Sequence, residues 1–176
     1  NESGYRNLVK LISAAHLDGF YYRPRIDKAL LAAHADGLIG LSGCLASEIN
    51  SALQSDNIQK AQSLTAGYRD IFGPKNFFVE LHDHGIAEQK KCNVNLPKFA
   101  REFGLGLVAA NDVHFLRRSD HKAHDVLLCI NTAAKIEDEQ RMRYEPELYF
   151  KSPDEMREIF RDFPEAISNT LEIADR

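Results

Sequence analysis

The stretch LVAANDVHFL, residues 107–116, begins as an apolar run and then stops at a carboxylate, Asp112, and an imidazole, His114. A short run of apolar residues that follows glycine predicts a buried β-strand. A carboxylate and an imidazole placed where that strand ends are side chains that can bind a metal ion. The more common interpretation of a single pair of this kind is a turn carboxylate beside a surface histidine.

Two further stretches end in the same way. LIGLSGC, residues 38–44, ends at a thiol, Cys44, and FFVELHDH, residues 77–84, ends with His82, Asp83 and His84. Helical patterns separate the three apolar runs, and this alternation is typical of parallel strands joined by crossover helices. The sequence therefore predicts an α/β fold with three or four parallel strands, which are too few to close a barrel.

The predicted helices carry recognisable start and stop signals. Pro97 is expected to kink or split the helical stretch at residues 86–104. Ser152 is a predicted N-cap, and Glu155 completes a capping box with it. Residues 119–134 are predicted to form one helix whose inward face is apolar and consists of Val126, Leu127 and Ile130.

The three predicted strand ends suggest a shared site. In parallel α/β folds, ligands bind at the carboxyl ends of the strands, so Cys44, His84, Asp112 and His114 are predicted to converge there. Imidazole and carboxylate suit Zn²⁺, Mn²⁺ or Fe²⁺, and a thiolate favours Zn²⁺. Such ions lower the pKa of bound water and stabilise a phosphoryl transition state. Considered alone, Cys44 is more typical of a small buried residue than of a ligand.

The composition excludes several classes of protein. The chain has 176 residues, a net charge of −4 and three cysteines far apart. It therefore lacks both the basic excess of a domain that grips nucleic acid by itself and the pattern of a disulfide framework. No stretch approaches the roughly 20 apolar residues of a membrane span, and no signal peptide is recognisable, so a cytoplasmic location is expected. The absence of an initial Met and the helical patterns at both ends predict a piece of a longer polypeptide.

Seven motifs in order resemble one known family. GFYYRPRID, GLIGLSGCLASEI, FFVELHDHG, ANDVHF, AHDVLLCINT, LYFKSPDEM and PEAISNTLEIADR are similar, over nearly the whole chain, to the PHP (polymerase and histidinol phosphatase) domain of bacterial DNA polymerase III alpha subunits. The resemblance implies a distorted (β/α)7 TIM-like barrel at the polymerase N-terminus. It also implies that residues 1–176 form a single domain, a fragment that is the larger, C-terminal part of this barrel and lacks its N-terminal strands.

The resemblance implies a metal site but no catalytic residue in this chain. Cys44, His84, Asp112 and His114 match ligand positions of the family, whereas His82 stands where the family usually has Gln. His82 is thus either an added ligand or a residue without a role. About half of the family's ligands lie on the missing strands, so the fragment alone is expected to bind divalent ions weakly. Zn²⁺ is the expected metal, with Mn²⁺ or Fe²⁺ as alternatives.

The resemblance leaves three functions open. In the first, the chain belongs to a replicative polymerase and contributes to a multi-metal phosphoesterase-type site. In some members of the family this site is active as a proofreading 3′–5′ exonuclease. The polymerase active site then lies outside this chain. In the second, it is a non-catalytic scaffold for the polymerase or for a separate exonuclease subunit. In the third, it is a free-standing metal-dependent phosphoesterase. The expected partners are the rest of the alpha chain, holoenzyme subunits including the exonuclease, and DNA through the full polymerase.

Overall fold

The structure, a computed structural model, describes all residues 1–176 and contains nine α-helices and three β-strands. The strands are β1 (Gly40–Leu41), β2 (Phe77–Leu81) and β3 (Gly106–Ala109). The helices are α1 (Glu2–Leu17), α2 (Lys28–Ala33), α3 (Glu48–Gln54), α4 (Ile58–Phe72), α5 (Ala87–Asn93), α6 (Leu96–Phe103), α7 (His121–Thr132), α8 (Pro153–Ile159) and α9 (Pro164–Ala174). None of these helices is both long and apolar enough to span a bilayer.

β2 lies at the centre of a parallel sheet of order β1–β2–β3. Gly40 pairs with Phe77 on one side of β2, and Leu81 pairs with Ala109 on the other. The predicted parallel α/β arrangement is therefore confirmed for these three strands. They form an open sheet, so the closed (β/α)7 barrel that the resemblance implies stays a prediction.

β1 is shorter and less buried than the apolar run LIGLSG predicts. It contains two residues, and the side chain of Leu41 is 45% exposed. The physical reason is its position at the edge of the sheet, where only β2 pairs with it. The strand predicted at this place is present, but the prediction that it is buried was wrong.

The core lies between one face of the sheet and the helices. Phe77, Val79 and Leu81 alternate along β2 and point into a cluster of 16 buried apolar residues, which includes side chains from α3, α4, α5, α6 and β3. Side chains on a strand alternate between its two faces, so Phe78 and Glu80 point to the opposite side. On that opposite side, Glu80 contacts His82, which directly follows β2.

Local signals for helix boundaries are confirmed. The stretch around Pro97 is split into α5 and α6, with the proline in the first turn of α6, where its missing N–H costs nothing. At α8 the backbone N–H of Glu155 donates to Ser152 Oγ at 3.3 Å, and that of Ser152 donates to Glu155 Oε2 at 2.8 Å. The capping box therefore forms as predicted.

The inward face predicted for α7 is wrong. Val126, Leu127 and Ile130 are exposed, Ile130 to 73%, whereas Cys129 is buried. The reason is that α7 makes no extensive contact with the sheet, and its inner side, with His121 and His124, packs on Phe115 and Tyr144 instead. An apolar helix face is thus left at the surface of this chain.

Leu81 offers a direct test of the core. Its side chain is fully buried, so we expect Leu81→Ala to lower the free energy of unfolding by about 2–5 kcal/mol, through lost contacts and the cavity left behind. Urea denaturation followed by circular dichroism measures this change. The matched control is Leu17→Ala at the exposed end of α1, which should change the free energy by less than about 0.5 kcal/mol. Equal losses in the two variants would contradict a core centred on β2.

Candidate functional site

Three of the predicted ligands follow the strands at the same interval. Cys44, His84 and Asp112 each lie three residues beyond the last residue of β1, β2 and β3, respectively. Because the strands are parallel and in register, these positions share one edge of the sheet, which we call the rim. The rim is formed by the residues that follow the three strands, 42–44, 82–84 and 110–114.

Asp112 and His114 form one side of the rim. Asp112 Oδ1 lies 3.3 Å from His114 Nε2. The backbone of Asp112 has φ +48°, in the left-handed region that asparagine and aspartate tolerate better than other non-glycine residues. The backbone N–H of His114 donates to Leu148 O at 2.8 Å, and its ring lies 4.2 Å from that of Tyr144, measured between centroids. The pair is therefore oriented by both backbone and ring contacts.

His84 is buried and fully hydrogen-bonded. Its side chain Nε2 donates to Asn111 O at 2.7 Å, and its Nδ1 accepts from Gln89 Nε2 at 2.9 Å. Its backbone N–H also donates to Gln89 Oε1 at 2.8 Å. Burial lowers the pKa of His84 below its ordinary value, against the opposing effect of the bond to Asn111 O. The ring is thus held neutral, and both of its nitrogens are engaged with the protein.

Asn111 ties the end of β3 to a later part of the chain. Its Nδ2 donates to Tyr149 O at 2.8 Å, and its Oδ1 accepts from the backbone N–H of Lys151 at 2.8 Å. Its carbonyl oxygen accepts from His84. One residue therefore fixes β3, the β2 rim and the segment before α8 relative to each other.

His82 lies in the middle of the rim and is held by Glu80 of β2. His82 Nε2 lies 2.9 Å from Glu80 Oε1, and Gly43 donates its backbone N–H to Glu80 Oε2 at 3.1 Å. His82 Nδ1 is buried and has no hydrogen-bond partner. The nearest carboxylate oxygen across from it, Asp112 Oδ2, is 3.9 Å away. A buried nitrogen without a partner beside a carboxylate is a feature that a bound cation would explain.

Cys44 lies at the border of this arrangement. It is exposed, which differs from the buried position that is typical of a lone cysteine, and it lines a small cavity together with Glu80 and His82. All three cysteines of the chain are free thiols. The thiol is therefore accessible at the rim, on the side of Glu80 and His82.

The structure brings the predicted residues to one edge but not to one point. Asp112 lies between His82 and His114, while His84 points into the protein. No three His, Cys, Asp or Glu side chains converge as a metal-binding group. The donor types nevertheless fit Zn²⁺, Mn²⁺ or Fe²⁺, and the unpartnered His82 Nδ1 fits a cation nearby. A divalent ion bound here would act as a Lewis acid that lowers the pKa of bound water.

Sequence reasoning missed three residues that organise the rim, namely Glu80, Gln89 and Asn111. Glu80 had a usable signal, because a glutamate inside an otherwise apolar strand, two positions before a histidine, lies on the same face as that histidine. The roles of Gln89 and Asn111 depend on contacts with residues that the turn after β2 and the segment before α8 bring close. No local pattern carries that information.

Comparison with known proteins agrees with the motifs. Residues 1–84 match the PHP domain family. DNA polymerase III subunit alpha of Borreliella burgdorferi is 44% identical over 177 residues, covering 100% of this chain and 15% of the relative. The same subunit of Thermus aquaticus is 46% identical, covering 98% of this chain and 14% of the relative, and that of Treponema pallidum is 43% identical, covering 100% and 15%. The chain thus spans about one seventh of the length of these relatives.

The buried state of His84 predicts how stability depends on pH. Because the pKa of His84 is lowered in the folded state, the His84 ring of the unfolded chain binds a proton at a higher pH than the ring of the folded chain does. This difference begins to matter when the pH falls below about 6.5, the ordinary pKa of histidine. The free energy of unfolding should therefore fall as the pH falls from about 7.5 to 5, and His84→Gln should flatten this slope. Urea denaturation of metal-free protein measures it. His16→Gln, an exposed histidine on α1, is the control and should keep the wild-type slope; a slope unaltered by His84→Gln would contradict a buried neutral ring.

Proposed function

We propose that this chain is a PHP-domain segment of the bacterial DNA polymerase III alpha-subunit family, and that residues 1–176 are the larger, C-terminal part of one PHP domain in a replicative polymerase. Similarity over the whole chain supports this extent, although the PHP family match itself ends at His84. The remainder of the alpha chain would supply the N-terminal strands of the barrel and the polymerase active site. A cytoplasmic location and contacts with DNA through the full polymerase follow from the same proposal.

We propose that the rim contributes Cys44, His84, Asp112 and His114 to a site for divalent ions, with Zn²⁺ as the first expectation. The observation that carries this proposal is the carboxylate of Asp112, with one oxygen 3.3 Å from His114 Nε2 and the other 3.9 Å from His82 Nδ1. His84 can join the site only when its bond to Asn111 O or to Gln89 opens. Ligands from the N-terminal strands would complete the site, so the segment alone should bind metal weakly.

The chemistry proposed for the complete site is phosphoester hydrolysis, in the form of a 3′–5′ exonuclease that proofreads. Imidazoles and a carboxylate at one sheet edge are the donor types of hydrolytic metal sites. No catalytic residue is proposed in this chain, and its part in the site is to supply metal ligands. The relatives reported above are polymerase subunits, which favours this proposal over a free-standing phosphoesterase.

Asp112→Asn in the full-length polymerase subunit tests this proposal. Asparagine keeps the size and tolerates the left-handed backbone of this position, but removes the negative charge. We expect Zn²⁺ affinity to fall by a factor of about ten or more, because one charged ligand is removed. The metal-dependent exonuclease rate should fall in parallel. Elemental analysis after dialysis and a 3′-labelled DNA assay measure the two quantities.

Asp162→Asn is the matched control, because Asp162 is exposed, lies between α8 and α9, and is not one of the proposed ligands. It should leave both metal content and exonuclease rate at the wild-type level. Wild-type metal content and rate in Asp112→Asn would remove the support for a metal site at the rim.

We propose a scaffold role as a second candidate function, and the exposed face of α7 favours it. Val126, Leu127 and Ile130 form an apolar patch on this helix. Contiguous exposed apolar side chains mark surfaces that other protein covers. Since about 85% of the length of the relatives lies outside the matched segment, the proposed occupant is the remainder of the same polymerase chain.

Ile130→Glu distinguishes a covered face from an exposed one. In the full-length protein, calorimetry should show a lowered unfolding temperature, because a charge would be buried at a contact. In the 1–176 chain alone, the same substitution should change the free energy of unfolding by less than about 0.5 kcal/mol. An unchanged transition in the full-length protein would argue against the scaffold contact at α7.

A further inference from the structure

We propose that His82 is a metal ligand of this protein, binding a divalent cation through Nδ1 together with the carboxylate of Asp112. The inference rests on the proposed metal site at the rim and extends it to a residue that the family motif does not assign. Three observations carry it: the hydrogen bond to Glu80, the burial of a nitrogen without a partner, and the distance to Asp112.

The hydrogen bond to Glu80 selects the tautomer of His82. A carboxylate can only accept, so the proton of the neutral imidazole lies on Nε2, where it is donated to Glu80 Oε1 at 2.9 Å. The lone pair is then on Nδ1. Glu80 is itself held by the backbone N–H of Gly43, two positions beyond β1. This is the carboxylate–histidine arrangement in which metal-binding histidines are usually found, with the second nitrogen left for the ion.

The second nitrogen of His82 has no hydrogen-bond partner within the protein. The residue is only 7% exposed, and Nδ1 lacks any hydrogen-bond partner. Buried nitrogens are almost always paired, so this one requires an explanation. It faces the carboxylate of Asp112, and two electron-rich groups that face each other across a gap do not stabilise each other. A cation between them removes the repulsion and satisfies both.

A charged imidazolium that neutralises Glu80 and Asp112 is the alternative explanation. It would require Nδ1–H to donate to Asp112 Oδ2, but the separation of 3.9 Å is too long for a hydrogen bond. Two ligands of a tetrahedral Zn²⁺, each about 2.1 Å from the ion, lie about 3.4 Å apart, so Nδ1 and Oδ2 approach each other by about 0.5 Å when they bind one ion. The Asp112–His114 separation of 3.3 Å already matches this value.

The chemistry of the added ligand sets the metal preference. An imidazole nitrogen favours Zn²⁺ or Fe²⁺, whereas oxygen ligands suit Mn²⁺ and Mg²⁺. His82 therefore biases the rim toward Zn²⁺. Loss of this ring should cost more affinity for Zn²⁺ than for Mn²⁺, and a residue with only a packing role would not change that ratio.

His82→Gln in the full-length polymerase subunit is the sharpest test. The glutamine amide can still donate to Glu80 from near the Nε2 position, but it offers no group at Nδ1. We expect Zn²⁺ affinity, measured by competition with a chromophoric chelator, to fall at least about tenfold, and Mn²⁺ affinity to fall less. His16→Gln, on α1, is the matched control and should match the wild type for both metals. Circular dichroism checks that each variant is folded.

The comparison with Asp112→Asn separates the two proposals. Weaker Zn²⁺ binding in both variants supports His82 as a ligand. Weaker binding in Asp112→Asn with wild-type Zn²⁺ and Mn²⁺ affinities in His82→Gln overturns the role of His82 and leaves the rim site intact. Wild-type affinities in both variants overturn both proposals.

If His82→Gln does not fold, Glu80→Gln tests whether His82 is a metal ligand. Its amide oxygen is required to accept from the backbone N–H of Gly43, so its NH2 group lies toward His82 Nε2. That orientation favours the tautomer with the proton on Nδ1, which cannot bind an ion. We expect about a tenfold loss of Zn²⁺ affinity with an unchanged melting temperature of the metal-free protein. An unchanged Zn²⁺ affinity in folded Glu80→Gln would overturn the proposal.

Discussion

The parallel pairing of β2 with β1 and β3 determines where the candidate metal-binding side chains of this chain lie. The pairs Gly40 with Phe77 and Leu81 with Ala109 align the three strands in one direction. Residues that follow the strands must therefore meet at one edge, however far apart they are in the sequence. The interval is uniform, since Cys44, His84 and Asp112 each follow their strand by three residues. Without this register, the donor groups would be dispersed over the surface.

Much of the fold could be predicted from the sequence, because the relevant signals are local. The split at Pro97 and the capping box of Ser152 with Glu155 depend on a few neighbouring residues, and both are confirmed. The inward face of α7 was predicted wrongly, since an apolar stripe shows that a helix face can be buried but not what covers it. The burial of β1 was predicted wrongly for a similar reason, because its apolar run does not reveal that it is an edge strand.

The position of the rim could be predicted from the sequence, but the hydrogen bonds of its side chains could not. The three strand ends gave the location, and Asp112 and His114 lie together there. His84, however, uses both ring nitrogens within the protein, and its partners Gln89 and Asn111 could be assigned only from the folded chain. His82 has the opposite character, because Glu80 holds one nitrogen and leaves the other buried and unpaired. The sequence presents two similar histidines, and only their surroundings separate a hydrogen-bonded ring from one that can receive an ion.

Anomalous diffraction at the zinc edge, from crystals of the full-length subunit grown with Zn²⁺, would locate the ion itself. We expect an anomalous peak at the rim within about 2.1 Å of both His82 Nδ1 and the Asp112 carboxylate, with Glu80 still bonded to His82 Nε2. Crystals that show Zn²⁺ bound only elsewhere, with His82 and Asp112 arranged as they are here, would contradict this expectation.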